Sequence, residues 1–239
     1  MPPEGTNLLL NSLSEKSRDR LLSHTTSVPL PLKTMLYEPE EQPRYGYFLT
    51  SGVASVVATV EEGGSAEVGM IGFEGVAGSV QLLGPAAVPT QCFMQAEGAA
   101  LRIPFIELRK AYRESDEIRE RILEFVQSQA LSASQISGCH RLHGAEERLA
   151  RWLLMVRDRI KSDALGLTQE FLGQMLGARR TTVTLVAGTL QQSGIIEYSR
   201  GWVHVVNAER LEGAACSCYP ILRDLSRNLY TYPLRNGNE

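Results

Sequence analysis

The stretch LGLTQEFLGQMLGARRTTVTLVAGTLQQSG, Leu165–Gly194, contains two short helical periodicities on either side of a single glycine. Thr168 is a good N-cap for a first helix over Gln169–Leu176, and Gly177 supplies the turn. The second helix has apolar residues at spacings of three, four and seven, namely Val183, Val186, Ala187 and Leu190. Two short helices joined by a tight glycine turn are typical of a helix-turn-helix, in which the second helix enters the DNA major groove.

The face of the second helix opposite its apolar side is uncharged, and two arginines stand at its N-terminal end. Arginine bonds guanine in a bidentate way, threonine reaches bases or phosphates, and an exposed leucine contacts the thymine methyl group. An ordinary helical hairpin remains the alternative for such a pattern alone. The DNA contacts predicted from it are Thr168, Gln169, Arg179, Arg180, Thr181, Thr182, Thr184 and Leu185.

The following residues, SGIIEYSRGWVHVV, favour the DNA-binding interpretation, because they predict two strands around a short turn. The strands are expected over Ile195–Tyr198 and Trp202–Val206, which makes the module a winged helix. Arg200 at the tip of the wing is a candidate phosphate contact, although a solvated turn arginine would give the same pattern.

Charge is distributed unevenly along the 239 residues. The whole chain has a formal net charge of -3, yet residues 1–110 hold 8 basic against 12 acidic residues, and residues 145–206 hold 8 against 6. A nucleic-acid partner would therefore meet the later part of the chain.

The first part of the chain has the signals of a β-domain. Between Leu30 and Leu101, short apolar stretches such as YGYFL and VASVVATV are separated by turn-forming segments such as TSG and EEGG. We expect a compact antiparallel domain, either a barrel or a jelly roll.

The apolar period then changes to that of a helix, and residues from Pro104 to Leu142 predict one long amphipathic helix or two in tandem. A stripe of this length suggests pairing with the same helix of a second subunit, over about residues 116–138. The alternative is a helix packed against its own β-domain.

Taken together, a β-domain, a long helix and a winged helix resemble the Crp/Fnr family of bacterial transcription regulators over about residues 25–210. The segments that carry this resemblance are YFLTSGVASVVATVEEGGSAEVGMIGFEGVAG, GAEERLARWLL and LTQEFLGQMLGARRTTVTLVAGTLQQSGII. The fold class is then α+β, with an N-terminal antiparallel β jelly-roll sensor domain, a dimerisation helix and a C-terminal winged helix-turn-helix. The expected boundaries are 1–112 for the sensor domain, 113–143 for the helix and hinge, 144–211 for the DNA-binding domain and 212–239 for a tail.

The resemblance also implies partners and specificity. It implies a homodimer that binds double-stranded DNA at a palindromic site and works with RNA polymerase. In the family's best-known members the recognition helix reads bases with two arginines and a glutamate. Here only Arg180 carries over, while Thr181 stands for the glutamate and Leu185 for the second arginine. The preferred half-site should therefore differ where these two side chains would touch it.

The sensor domain departs further from the family pattern. The family's cyclic-nucleotide pocket uses a glycine-rich turn, a glutamate for the ribose and an arginine for the phosphate. The segment GFEGVAGS resembles the turn, so the implied effector-pocket positions are Gly72, Glu74, Gly75 and Thr90. Thr90 and its neighbours replace the arginine, and no lysine or arginine occurs between Arg44 and Arg102. A buried phosphate without a cation is unfavourable, so we expect an effector other than cyclic AMP, if there is one.

Cysteines and histidines give two weak metal-binding patterns. Cys139, His140 and His143 lie close together on the predicted helix, and Cys216 and Cys218 form a CSC pair. Polar residues at a helix end and two inert thiols explain both patterns, so we predict no metal and no cofactor.

An enzyme would need a nucleophile with its base, paired carboxylates or a metal set, and the sequence offers no such arrangement. We therefore predict a regulator and not an enzyme. The alternative is a ligand- or protein-binding module of cyclic-nucleotide-binding-like fold that does not act through DNA. No apolar run reaches the eighteen or so residues of a membrane span, and a cytoplasmic location is expected.

Overall fold

The computed structural model describes residues 5–59, 64–84 and 87–231, and the chain divides into two compact units. One unit comprises residues 1–56, 70–131 and 225–239, and the other comprises residues 57–69 and 132–224. A division of the chain at 112, 143 and 211 remains a prediction.

The first unit is built on an antiparallel sheet preceded by two short helices. The helices are α1 (Leu8–Asn11) and α2 (Glu15–Leu22), and the strands are β1 (Thr26–Leu30), β2 (Met35–Tyr37), β3 (Tyr45–Thr59), β4 (Ser65–Ile71), β5 (Val76–Ala77) and β6 (Thr90–Pro104). The strand order is β1-β6-β3-β4, with β2 paired to β6 and β5 paired to β3. Residues 57–59 of β3 and 65–69 of β4 belong to the second unit.

The prediction that TSG separates two strands is wrong, because β3 runs without interruption from Tyr45 to Thr59. Gly52 adopts a left-handed conformation with φ 77° inside the strand. A Cβ atom at this position would lie 2.7 Å from the carbonyl oxygens of Ala96 and Glu97. The glycine therefore allows β3 to bend closely against β6 where a turn was expected.

Two helices in tandem follow the sheet, which is one of the two sequence interpretations. They are α3 (Phe105–Glu114) and α4 (Asp116–Leu142), and Ser115 between them has an extended backbone. Ile118, Ile122 and Phe125 of α4 are buried in the core of the first unit. The first half of α4 thus packs against its own β-domain.

The second unit contains the helix-turn-helix and its wing. Its remaining elements are α5 (Ala145–Ile160), β7 (Ala164–Gly166), α6 (Gln169–Leu176), α7 (Arg180–Gln192), β8 (Ile196–Ser199), β9 (Trp202–Val205), α8 (Ala208–Ala214) and α9 (Cys218–Arg227). The three strands form an antiparallel sheet in the order β7-β9-β8. The apolar side of α5 packs against α7 and α8 and fixes the module.

The predicted fold class, α+β with an N-terminal antiparallel β-domain, a long helix and a C-terminal winged helix-turn-helix, is confirmed. Strand β7 and the C-terminal helices α8 and α9 were not predicted, because each is short and the pairing partner of β7 lies about forty residues further along the chain. Among the described residues, every helix is too short or too polar to span a lipid bilayer.

Candidate nucleic-acid interface

Helices α6 and α7 are joined by a turn of three residues. The Thr168 side chain accepts a hydrogen bond from the backbone N–H of Phe171 at 3.2 Å, and so it caps the first helix as predicted. Gly177 has φ 56° at the end of this helix, and the Ala178 N–H donates to the Gly173 carbonyl at 2.9 Å. This is the left-handed C-cap that lets a second helix begin three residues later.

The apolar side of α7 is buried where the periodicity predicted it, at Val183, Val186, Ala187 and Leu190. The opposite side is open to solvent. Leu185 is 72% exposed, Thr181 and Gln192 are exposed, and Gly188 is partly exposed. An exposed leucine on a helix with few charges is a surface that fits the apolar parts of a base edge.

Arg179, Arg180 and Arg200 are exposed, and within the described part of the chain none of the three has an ion-pair partner. Arg179 is the N-cap residue of α7, but its side chain makes no capping hydrogen bond. The first turn of α7 has no acidic residue. The helix dipole and two arginines therefore give this end of α7 a positive potential suited to a DNA phosphate.

The wing is a tight hairpin held against the start of α6. Arg200 and Gly201 form its turn, with φ 49° and 82°, as in a two-residue type I′ hairpin. The Leu167 N–H donates to the Gly201 carbonyl at 2.7 Å, and the Tyr198 hydroxyl donates to the Leu167 carbonyl at 3.1 Å. These bonds hold the Arg200 turn beside the first helix of the helix-turn-helix.

The remaining predicted contacts lie on the same two helices. Thr182 is partly exposed and Thr184 is exposed, and the Thr184 hydroxyl donates to the Arg180 carbonyl at 3.0 Å. The Thr184 hydroxyl is therefore engaged with the backbone of its own helix. The side chain of Gln169 lies outside the described residues.

Ser65 and Glu67 of β4 contact the helices of the same unit. The Trp152 indole N–H donates to a Glu67 carboxylate oxygen at 2.7 Å, and both side chains are buried. The Gln174 side-chain amide donates to the Ser65 hydroxyl at 2.9 Å. The buried indole of Trp152 is thus fixed by a charge-assisted hydrogen bond.

The predicted effector-pocket turn, Gly72–Ser79, is covered at Glu74 and Gly75 by other side chains of the chain. A Cβ atom at Gly75 would lie 2.1 Å from the Phe125 ring, and the Asn7 amide donates to the Gly75 carbonyl at 2.8 Å. Glu74 is buried, and the Tyr230 hydroxyl donates to its carbonyl at 2.8 Å. A ligand on this turn would have to displace these groups.

Thr90, the fourth candidate effector residue, has a hydrogen-bond partner on another strand. The Thr90 side chain is hydrogen-bonded to Tyr37, and burial raises the pKa of that phenol. Two of the twelve acidic residues counted in residues 1–110, Glu61 and Glu62, lie outside the described residues.

Four cysteine and histidine side chains that form two separate patterns in the sequence come together in the fold. The ligand atoms of Cys139, His143, Cys216 and Cys218 all lie within 4.8 Å of one another, and His140 is not among them. Cys139 and Cys216 are 77 positions apart in the chain. Sequence spacing gives no signal for a cluster so widely separated, so only the fold reveals it.

Burial sets the chemistry of the Cys139 thiol. It raises the pKa of this thiol to about 12, against the lowering effect of the Arg151 charge. In the metal-free protein Cys139 is therefore a neutral thiol at physiological pH, and a metal ion that bound it would displace the proton.

The fold and the interface define a winged helix-turn-helix protein with an additional β-domain. Residues 147–214 match the family model described as the Crp-like helix-turn-helix domain. No sequence among curated proteins matches the chain.

Solved structures of similar fold come from several bacteria. A transcriptional regulator of the Crp/Fnr family from Eubacterium rectale is 15% identical, with a TM-score of 0.69 over 86% of this chain and 96% of its own. FixK2 from Bradyrhizobium japonicum is 16% identical, with a TM-score of 0.67 over 81% of this chain and 98% of its own. TTHB099, a Crp-family regulator from Thermus thermophilus, is 18% identical, with a TM-score of 0.67 over 80% of this chain and 99% of its own.

The chain therefore has the fold of the Crp/Fnr transcription regulators and carries a Crp-like DNA-binding domain. The proteins from Eubacterium rectale and Thermus thermophilus are described as transcriptional regulators, which agrees with the prediction that the chain is not an enzyme.

Proposed function

We propose that this protein is a sequence-specific transcription regulator of the Crp/Fnr type that binds a palindromic DNA site as a homodimer. The observation that carries the proposal is the exposed side of α7 within a Crp-like domain, with Arg179 and Arg180 at its N-terminal end and no ion pair to either among the described residues. In a helix-turn-helix this end of the second helix meets base edges and phosphates. A role on chromosomal DNA would be carried out in the cytoplasm, with RNA polymerase as the functional partner.

Individual residues have different roles in this proposal. Arg180 reads a base in the major groove, and Arg179, at the N-cap, holds a phosphate. Arg200 holds a second phosphate from the wing. Thr181 and Leu185 on the exposed side of α7 distinguish the half-site of this protein from that of its best-known relatives. Further contacts that orient the helix-turn-helix on the DNA come from Thr168, Gln169, Thr182 and Thr184.

The homodimer is supported by the second side of α4. Between Ile122 and Gly138 this helix has one charged residue, Glu124. Its exposed positions over this range are uncharged and mostly small or apolar: Leu123, Gln127, Ala130, Leu131, Ser134, Ser137 and Gly138. Such a stripe suits contact with the same helix of a second copy, and a two-fold dimer of helix-turn-helix modules binds a palindromic site.

The β-domain is proposed as the sensor, with an effector other than cyclic AMP. Gly75 of the turn Gly72–Ser79 lies against Phe125 of α4, so a ligand that moved this turn would act directly on the dimerisation helix. Gly72, Glu74, Gly75 and Thr90 remain the candidate effector residues.

The test is fluorescence anisotropy with labelled DNA from upstream of the protein's own gene, at several salt concentrations. Binding should weaken steeply with salt, because each neutralised phosphate releases counterions. Arg180→Ala should cost about 1 to 3 kcal/mol on the specific site and relax the preference at one base pair. Arg200→Ala should weaken binding to all sequences alike and reduce the salt slope by about one.

Arg113→Ala is the matched control, because this arginine is also exposed but lies on α3. It should leave DNA binding unchanged. Equal losses on specific and random DNA for Arg180→Ala would contradict its base-reading role. Full DNA binding by a variant that lacks Arg179, Arg180 and Arg200 would favour a regulatory module that does not act through this surface.

A further inference from the structure

The proposed DNA contacts make no use of the cluster formed by Cys139, His143, Cys216 and Cys218. The Sγ atoms of Cys139 and Cys216 are 3.5 Å apart, and the Cys218 Sγ is 3.6 Å from Nδ1 of His143. All four ligand atoms lie within 4.8 Å of one another, and the three cysteines are buried. Three thiols and an imidazole are one of the ligand sets that hold structural zinc.

The distances fit a single tetrahedral ion. Zinc bonds sulfur at about 2.3 Å and imidazole nitrogen at about 2.0 to 2.1 Å, so neighbouring ligand atoms in a tetrahedron are about 3.5 to 3.8 Å apart. The two contacts across the cluster already have this separation. We propose that Cys139, His143, Cys216 and Cys218 bind one Zn²⁺ ion that fastens the end of α4 to the start of α9.

Both halves of the site are held by backbone structure. Cys139 and His143 are four residues apart at the end of α4, so their side chains project from the same side of the helix on successive turns. Cys216 and Cys218 flank one residue at the start of α9, where the Tyr219 N–H donates to the Cys216 carbonyl at 3.0 Å. The ligands therefore reach the ion position with little rearrangement.

The surroundings suit an anionic zinc–thiolate centre. The Gln135 side-chain amide donates to the Cys218 Sγ at 3.1 Å, and such outer contacts orient ligands and stabilise thiolates. Arg151 is buried, and its charge acts on the Cys139 thiol. Three thiolates, a divalent ion and this guanidinium together carry no net charge, which lowers the cost of burying them.

A single ion fits better than an iron–sulfur cluster. A two-iron cluster places its four protein ligands in two pairs on separate metal atoms, which spreads them more widely than one ion does. Here every ligand atom is within 4.8 Å of every other. The zinc site would close the chain between Cys139 and Cys218 and so stabilise the unit that carries the helix-turn-helix.

The first experiment measures metal in the full-length protein after expression with added zinc and purification in reducing buffer. Elemental analysis should find about one zinc ion per chain. Cys218→Ser and His143→Ala should lose most of this zinc. Cys92→Ser and His140→Ala are the matched controls, because Cys92 is a buried cysteine of the first unit and His140 is a neighbouring histidine outside the cluster. Both controls should keep the metal.

The second experiment has its main readout in the wild-type protein, so its result does not depend on whether a variant folds. The metal-free full-length protein is titrated with Co²⁺, which should give the intense visible bands of tetrahedral cobalt and a thiolate-to-metal band in the near ultraviolet, both removed by added zinc. Gln135→Ala should weaken metal binding about 10- to 100-fold, since it removes only the outer contact.

Several results would overturn the proposal. They are a zinc-free protein with no tetrahedral cobalt spectrum, equal cobalt binding by wild type and Cys218→Ser, or purified protein that contains iron and inorganic sulfide in place of zinc. None of these outcomes bears on DNA binding by Arg180, so the two proposals are tested separately.

Discussion

Glu117 at the start of α4 shows how one carboxylate joins two helices. It accepts hydrogen bonds of 2.6 Å from both the backbone N–H and the hydroxyl of Ser14, and one from the Ser17 hydroxyl. Partial burial acts to raise its pKa, but the hydrogen bonds from Ser14 and Ser17 outweigh burial and lower the pKa below its ordinary value. The charged form of Glu117 is therefore favoured by folding.

The sign of the pH effect follows from this lowered pKa. The stabilisation by Glu117 is present above the unfolded pKa, about 4.3, and is lost as the pH falls through the lower pKa of the folded state. Glu117→Gln should reduce the free energy of unfolding by about 1 kcal/mol at pH 7, since solvent screens this partly exposed group, with the difference from wild type shrinking below about pH 4. Urea unfolding at several pH values measures this.

Glu120→Gln, one turn further along α4, is the matched control. Among the described residues its carboxylate has no hydrogen bond or ion pair, so its removal should leave the pH profile unchanged. A Glu117→Gln variant whose deficit stayed constant down to about pH 3 would contradict the lowered pKa.

The sequence alone predicts the positions of some residues in the fold but not of others. The exposed side of α7 and the cap of α6 follow from local spacing, so the sequence correctly places Leu185 on the surface and Thr168 at the cap. The close approach of Phe125 to Gly75 and the cluster around Cys139 depend on residues about 50 or more positions apart. Local periodicity contains no information about such pairs.

At the scale of elements, α4 serves two surfaces at once. Its side with Ile118, Ile122 and Phe125 is buried in the first unit, while Leu123 and Leu131 remain 41% and 50% exposed. The two sequence interpretations of this helix, packing on its own β-domain and pairing with a second copy, are thus compatible.

The exposed side of α4 gives a prediction about assembly. Leu131→Arg would place a charge in the centre of the proposed dimer contact, where burying it unpaired is unfavourable. Light scattering should then find a monomer at concentrations where the wild type is a dimer. DNA affinity should fall by about 100-fold or more, because a monomer contacts one half-site and loses the gain in affinity from binding two half-sites at once.

Ile106→Arg serves as the control for this experiment. Ile106 is 70% exposed on α3, outside the proposed contact, so the same substitution there should leave the dimer intact. A Leu131→Arg protein that remained dimeric would place the contact elsewhere on the molecule.

Elements with a strong local signal were predicted well, and those defined by distant pairing were not. The bounds of α6 agree with those predicted from the sequence, because Thr168 and Gly177 mark its two ends. The sequence predicts two strands where the structure has the single strand β3. The reason is that a glycine that permits a bend has the same sequence signal as one that ends a strand.

At the scale of the whole molecule, the acidic first part of the chain bears on effector choice. Isothermal calorimetry of the full-length protein with cyclic AMP or cyclic GMP should give no binding tighter than about 100 μM, because no lysine or arginine lies between Arg44 and Arg102 to meet a cyclic phosphate. The same preparation should bind its upstream DNA, which shows that it is folded. Micromolar affinity for either nucleotide would contradict this prediction.

The placement of tryptophan has a practical consequence for testing whether the first unit binds an effector. The chain has two tryptophans, and both belong to the unit with the helix-turn-helix: Trp152 is buried against Glu67, and Trp202 lies on the wing, 57% exposed. The first unit therefore contributes no tryptophan emission when the protein is excited at the red edge of its absorption. A compound that binds there and still changes the emission must alter the DNA-binding unit, so the native fluorescence is a label-free screen for signal transmission.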